Sequence, residues 1–256
     1  MLKERKEPDG GKVTLPGLFS ALWDFVLPPR CMACGKQGGG TMCPACADTI
    51  RRMGDTVCPV CGKELPPGAL SNVPCSQCRR NPRQFTTCRS ALKYTGAAAE
   101  AMKKYKFSGR RHYWRFFAAR MSEYWVERPA LFPEAGSLNC IVPVPMHWRR
   151  LMARKYNQSE LLAAGLGRAM RVPVRKALVR TRHGKPQWKL KKYEERRRNV
   201  RGAFAVRGRA AVEGRRIMLV DDVYTTGATA DECSRMLMER GAEAVHVFTL
   251  ARRTFD

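Results

Sequence analysis

The chain of 256 residues predicts an α/β protein: a doubly wound parallel sheet preceded by a small cysteine-rich metal module. Three observations predict it. After Pro82, short apolar strands alternate with helical segments, the pattern of parallel strands joined by crossovers. Between residues 31 and 78, four Cys-x-x-Cys pairs occur where little else could build a core. Finally, an apolar run at 217–220 ends in two adjacent aspartates, then a Thr/Gly loop and a helix, the place where doubly wound sheets bind ligands.

Composition narrows the partners. With 44% hydrophobic residues the chain can build a sizeable core. Lys and Arg number 48 against 22 Asp and Glu, a formal charge of +26 that favours phosphates, nucleic acid or anionic membrane over cationic ligands. No run approaches the roughly 20 apolar residues of a membrane span. The best, residues 18–27, is short, contains Asp24 and lacks the cleavage pattern of a secretory signal. The expected compartment is the cytoplasm, where paired cysteines point to metal rather than to disulfides.

Three regions follow in order. Residues 1–29 read as a charged tail and a short helix carrying Leu18, Phe19, Leu22, Phe25 and Val26, ended by Pro28 and Pro29. Residues 30–82 read as the metal module and 83–256 as the α/β unit. In the latter, strands are expected at 87–94, in the apolar run 138–144, within 172–179, at 217–220 and at 244–250. Helices are expected at 97–107, 112–126, 159–170 and 228–240.

The cysteine pairs are Cys31/Cys34, Cys43/Cys46, Cys58/Cys61 and Cys75/Cys78, with eight residues between the first two pairs and thirteen between the last two. Each pair supplies two thiolates from one turn, and two turns complete a tetrahedral site, so two structural zinc ions are expected. Sequential sharing of the metals is favoured, with a crossed arrangement as the alternative. Gly35 and Gly62 follow the second cysteine of their pairs, where a positive φ lets N–H groups turn toward sulfur. Cys88, Cys140 and Cys233 lie in apolar contexts and read as buried small hydrophobes.

The segment Ile217-Met-Leu-Val-Asp-Asp-Val-Tyr-Thr-Thr-Gly-Ala-Thr229 carries the chemistry. Its strand delivers Asp221 and Asp222 at the end of the sheet. The loop after them offers hydroxyls and successive N–H groups, Gly227 permits close approach, and the helix dipole favours an anion, so a phosphate fits. Ile141-Val-Pro-Val-Pro-Met-His147 ends another strand at the same edge, followed by the cations of Arg149-Arg-Leu-Met-Ala-Arg-Lys-Tyr-Asn-Gln158. Guanidinium groups suit bidentate phosphate recognition, whereas His147 reads as a loop side chain rather than a base.

Residues 217–229 resemble the signature of the type I phosphoribosyltransferases, which bind phosphoribosyl pyrophosphate. The resemblance implies that Asp221 and Asp222 hold the ribose hydroxyls and that Thr225, Thr226, Gly227, Ala228 and Thr229 hold the 5-phosphate. From about residue 24 to 252 the chain is similar to the ComF family, a zinc ribbon followed by a phosphoribosyltransferase-like domain. The similarity lies in the cysteine pairs, Lys106-Phe-Ser-Gly109, Val142-Pro-Val-Pro145, Arg154-Lys-Tyr-Asn-Gln158, Gln187, Asn199-Val-Arg-Gly-Ala-Phe204 and the acid pair. Lys155 departs from it, since the family more often has Gly there. The resemblance implies a doubly wound sheet of the type I phosphoribosyltransferase kind with an N-terminal double zinc ribbon. It also implies that Pro143, Val144, Pro145, Arg149, Arg154, Asn157, Gln158 and Gln187 bind substrate, with Mg²⁺ accompanying phosphoribosyl pyrophosphate. The expected activity is transfer of a phosphoribosyl group to an acceptor that no residue identifies, in the setting of DNA uptake during natural transformation. Single-stranded DNA and competence helicase machinery are the expected partners. The alternative is a zinc-containing single-stranded DNA-binding protein whose sugar-phosphate pocket is regulatory or vestigial.

Two basic stretches remain. Residues 180–201 hold ten Lys or Arg with only Glu194 and Glu195, and Trp188 and Tyr193 lie among them. Three overlapping readings stand: a solvated charge run, a lid over the substrate, or a nucleic-acid contact with stacking aromatics. Residues 103–120 hold seven cations and no acid, which suits salt-dependent binding of a phosphate backbone.

Overall fold

A computed structural model describes residues 30–37, 40–107, 109–132, 137–184, 190, 193–208 and 211–254. The helix expected within 18–27 lies outside these residues, as do Gln187 and Trp188. Helices α1 (Pro44–Ala47) and α2 (Ser76–Arg80) each begin just after the first cysteine of a pair. Then come β1 (Thr87–Lys93), α3 (Gly96–Phe107), α4 (Trp114–Glu127), β2 (Cys140–Pro143), α5 (Trp148–Arg154), α6 (Gln158–Met170) and β3 (Leu178–Arg180). The chain continues through α7 (Tyr193–Val200), β4 (Phe204–Val206), β5 (Arg216–Tyr224), α8 (Ala228–Glu239) and β6 (Ala244–Arg252).

Four strands form one parallel sheet in the order β1-β6-β5-β2, while β3 and β4 pair antiparallel apart from it. The central strands are apolar on both sides, as a sheet covered on both faces requires. Met218, Val220, Phe248 and Leu250 pack with Tyr105, Phe117 and Leu162 of α3, α4 and α6. The alternate residues Ile217, Leu219, Val245 and Val247 pack with Cys233 and Leu237 of α8 and with Leu178 and Phe204. The sheet is therefore doubly wound, as the alternation of elements predicts. Cys88, Cys140 and Cys233 are all buried.

The cysteine-rich segment has too few apolar residues for a core of its own, and it shares the core of the sheet. Cys31, Met32 and Met53 are buried in the same cluster as Phe248 and Tyr105. Met53 N–H donates to Ala91 O at 3.1 Å and Lys93 N–H to Arg51 O at 2.8 Å, an antiparallel bridge that covers the outer edge of β1. The second knuckle docks through Cys88 N–H on Val60 O, and a Cβ at Gly62 (φ +68°) would lie 2.3 Å from Cys88 O.

Four features differ from the sequence reading. The strand expected within 172–179 forms at its far end, as β3, because Pro173 interrupts ladder donors and Val174 makes only an isolated bridge to Ile141. Helix α5 escapes the pattern because its seven residues leave Trp148 and Met152 exposed and so show no apolar stripe. Part of the basic stretch 180–201 is helical, in α7. Strand β5 runs four residues past Val220, paired with β6 as far as Tyr224 and Arg252, so the acid pair lies inside the strand.

Candidate functional site

Two kinds of site emerge. Cys31, Cys34, Cys43 and Cys46 bring their sulfurs within 4.8 Å of one another, and so do Cys58, Cys61, Cys75 and Cys78. The grouping is sequential, not crossed. Sulfur separations of 3.8 Å for Cys34–Cys43 and for Cys61–Cys75 fit a tetrahedron with metal–sulfur bonds of about 2.3 Å. Cys43 N–H lies 3.4 Å from Cys31 Sγ and Cys75 N–H 3.3 Å from Cys58 Sγ, donors that favour thiolates. These closed four-sulfur sets suit two structural zinc ions.

The second site is a cavity of about 540 Å³ at the C-terminal end of β5. Asp221 Oδ1 accepts from Ser159 Oγ at 3.0 Å and from Asp222 N–H at 2.8 Å, while Asp222 Oδ1 lies 2.9 Å from Lys106 Nζ. The pair is half-buried rather than standing at an exposed sheet end. Burial, and next the neighbouring Asp222 charge, push Asp221 up to about 7, against those hydrogen bonds and Lys106. Beyond the pair, Gly227 (φ +82°) is the N-cap of α8, and a Cβ there would lie 2.2 Å from Tyr224 Oη. Thr226 lines the cavity, and its Oγ1 is buried without a protein partner.

Asp221, Asp222, Thr225, Thr226, Gly227, Ala228, Thr229, Val144, Pro145, Arg154, Asn157 and Gln158 all line this cavity. Pro143 and Arg149 do not: Pro143 is the buried last residue of β2, and Arg149 lies over the Trp148 ring at 5.3 Å. Asn157 works on the backbone, its Oδ1 capping α6 through Ser159 N–H at 3.1 Å and its Nδ2 donating to Val144 O at 3.0 Å. His147 is the N-cap of α5, its Nδ1 accepting from Arg149 N–H and lying 3.2 Å from His183 Nδ1. Lys155 adopts φ +65° at the end of α5, which explains why glycine suits this position.

Lys106, Ser159, Arg150 and Arg180 also line the cavity; the sequence reading gave Lys106 and Ser159 no ligand-binding role, and took Arg150 and Arg180 only as members of basic segments. Lys106 sits in a quoted motif, but its pairing with an acid 116 residues away has no local signal. Arg150, Arg154 and Arg180 converge on one side. Burial, then repulsion by Arg180 and Arg154, pushes Arg150 down to about 10. Arg180 Nη2 is buried without a partner. A polyanion would satisfy these groups, with the acid pair facing hydroxyls a short distance away.

Fold and sites together define an α/β protein that carries two four-cysteine clusters and, at the end of a central strand, a Thr/Gly loop leading into a helix beside an acid pair. Residues 22–79 match the family model described as the double zinc ribbon domain. The chain is 31% identical over 244 residues to the DNA utilization protein YhgH of Escherichia coli O157:H7, spanning 94% of this chain and 99% of that protein. It is 39% identical over 114 residues to competence protein F of Haemophilus influenzae, 44% of this chain and 49% of that one. To competence protein ComFC of Bacillus subtilis it is 34% identical over 165 residues, 64% of this chain and 63% of the other. The chain belongs to the ComF/YhgH family, and its double zinc ribbon precedes the α/β domain described above. A solved glutamine phosphoribosylpyrophosphate amidotransferase of B. subtilis aligns with a TM-score of 0.35 and 24% identity, covering 54% of this chain and 26% of that one. Among the described residues, no helix is long and apolar enough to cross a membrane.

The raised pKa of Asp221 has a consequence for stability. Its folded value, about 7, exceeds the roughly 3.9 of an unfolded aspartate, so its contribution is fully present below about pH 4 and is lost as pH rises through about 7. Relative to Asp221→Asn, which has no carboxyl to titrate, the wild-type protein should lose on the order of a few kcal/mol between pH 5 and 8. Denaturant unfolding of both proteins at several pH values checks this; a difference independent of pH would contradict it.

Proposed function

We propose that the cavity binds phosphoribosyl pyrophosphate with Mg²⁺ and that the protein transfers the phosphoribosyl group to a nucleophilic acceptor as part of DNA uptake. One observation carries the reading: an acid pair suited to a ribose diol shares one cavity with a Thr/Gly loop at a helix N-terminus and with Arg150, Arg154 and Arg180. In this reading the loop at 225–229 holds the 5-phosphate, and Asp221 and Asp222 accept the ribose hydroxyls. Arg150, Arg154 and Arg180, with the turn at Val144 and Pro145, hold the pyrophosphate. The bond from the ribose C1 to pyrophosphate breaks as the acceptor bonds to C1, and the arginines stabilise the charge that gathers on the leaving group. Mg²⁺ arriving with the substrate would supply further neutralisation of that charge. The ribbon, residues 30–82, serves the α/β unit, residues 83–256, in the cytoplasm.

A second reading, single-stranded DNA binding, is favoured by the relatives' names, DNA utilization and competence proteins, and by the charge of +26. A further cavity of about 470 Å³ beside the second ribbon is lined by Arg80, Arg197 and Arg201, with Asp231 and the Glu232–Arg235 ion pair on its wall, and its three other arginines suit a phosphate backbone. The two readings are compatible, and they part at the acid pair.

Asp221→Asn with Asp222→Asn should weaken phosphoribosyl pyrophosphate binding tenfold or more in calorimetry, since hydrogen bonds to charged acceptors contribute about 1.5–3 kcal/mol each. Unchanged affinity in the folded double variant would remove the assignment. Single-stranded DNA binding should survive that change and fall steeply with salt, with a log–log slope of roughly −3.5 if about five phosphates are neutralised. Alanine at Arg80, Arg197 and Arg201 should flatten the slope by ~2, about 0.7 for each phosphate no longer neutralised. A slope that does not change would take the strand off this cleft.

A further inference from the structure

The second cysteine cluster and the phosphate loop lie at opposite ends of one buried line of contacts. Arg252, the last residue of β6, is buried and donates from Nη1 to Cys61 O, with Nη2 3.7 Å from Cys61 Sγ. Its guanidinium lies over the Tyr224 ring, 4.4 Å from the centroid. Tyr224 is the register partner of Arg252 across the β5/β6 ladder, and its ring is buried edge-on to Phe85. The far end of that ring presses on Gly227: a Cβ at Gly227 would fall 2.2 Å from Tyr224 Oη and 2.6 Å from Cζ. Gly227 is the residue at which the loop turns into α8. From Cys61 to Gly227 there is thus one guanidinium and one ring, packed with no slack.

The chemistry of each link gives the line a direction. A tetrahedral four-thiolate metal site carries net negative charge. An arginine donating to one of its sulfurs is the outer-shell partner that such sites use to fix ligand orientation. Arginine is the side chain that can make this contact and stack flat on an aromatic ring at once, because its fork and its faces are used separately. With the cluster intact, Arg252 is held over Tyr224, and Tyr224 forms a rigid floor beneath the loop. With the cluster open, Arg252 loses its anionic partner and the floor loses its lid.

We propose that Arg252 and Tyr224 are positioning residues that couple the Cys58/Cys61/Cys75/Cys78 cluster to the phosphate loop, so that metal at the one and a sugar phosphate at the other bind cooperatively. The inference rests on the reading of the cavity as a phosphoribosyl site. Coupling of this kind is reciprocal: a ligand in the loop must tighten the hold of the cluster on its metal by the same factor as the metal tightens the ligand.

The test uses the full-length zinc-loaded protein and ribose 5-phosphate as the probe, with calorimetry to establish its binding. Zinc release to a colorimetric chelator is followed with and without saturating probe. The cluster containing exposed Cys34 should release first, and the cluster whose Cys58, Cys61 and Cys78 are buried should give the slow phase. The probe is expected to slow the slow phase by about 5-fold or more, within the usual range of coupling between sites, and to leave the fast phase alone. Arg252→Lys keeps the charge but cannot both stack and donate. It should retain two zinc ions and a cooperative thermal transition while the effect of the probe falls below about 2-fold. If that variant does not fold, the wild-type arm decides alone. Calorimetric binding of the probe without any change in zinc release overturns the coupling and leaves the cavity reading standing, as does an equal effect in wild type and a folded Arg252→Lys. Failure of both ribose 5-phosphate and phosphoribosyl pyrophosphate to bind the wild-type protein overturns the cavity reading, and the coupling falls with it.

Discussion

Two carboxylates adjacent on a central strand repel one another, and withdrawing them from water adds to the cost unless other groups compensate. The arrangement around Asp221 and Asp222 meets that constraint. Helix α3 ends so that Lys106 reaches Asp222, and α6 begins so that Ser159 reaches Asp221, with Asp222 N–H as a further donor. Both helices are fixed in turn by the core beneath them. Tyr105, buried beside Lys106, donates to Gln158 O, and Tyr156 donates back to Tyr105 O. The acid pair therefore requires the two helix ends to meet over the sheet, and the cavity forms around that meeting.

The cysteine ribbons belong to the same structure. A segment of about fifty residues with few large apolar side chains needs metal, a shared core, or both. Here the first ribbon places Cys31, Met32 and Met53 in the main core and closes the edge of β1, and the second docks on Cys88 and Arg252. Arg89 reinforces the second contact by donating to Pro59 O. The two cysteine clusters thus anchor the first and last strands of the sheet, and with them the elements that frame the loop.

Much of this was legible in the sequence. The four strands of the main sheet and four of its helices follow from apolar runs of ordinary length, and the metal groups follow from the spacing of their cysteines. The acid pair and the Thr/Gly loop are contiguous, so their chemistry can be read directly. What escaped was what depends on contacts between distant segments. Lys106, Ser159 and Arg180 meet the acid pair or the cavity only through packing. Helix α5 is too short to show a period, and β3 is displaced because Pro173 breaks the ladder where the apolar residues lie. Asn157 carried a polar side chain in a motif with ligand-binding associations, yet its bonds go to Ser159 N–H and Glu160 of its own helix and to Val144 O. Glycine's usual place at Lys155 is likewise explained by a left-handed turn that only the backbone reveals.

The central claim is that the acid pair reads a ribose diol. It is tested most directly by comparing ribose 5-phosphate with 2-deoxyribose 5-phosphate in calorimetry under identical buffer and Mg²⁺. The two ligands share the phosphate that the loop would hold and differ by one hydroxyl that the carboxylates would accept. The account predicts that the ribose compound binds about tenfold or more tightly, the worth of one hydrogen bond to a charged group. Equal affinities would mean that Asp221 and Asp222 do not accept the 2-hydroxyl, and would contradict it.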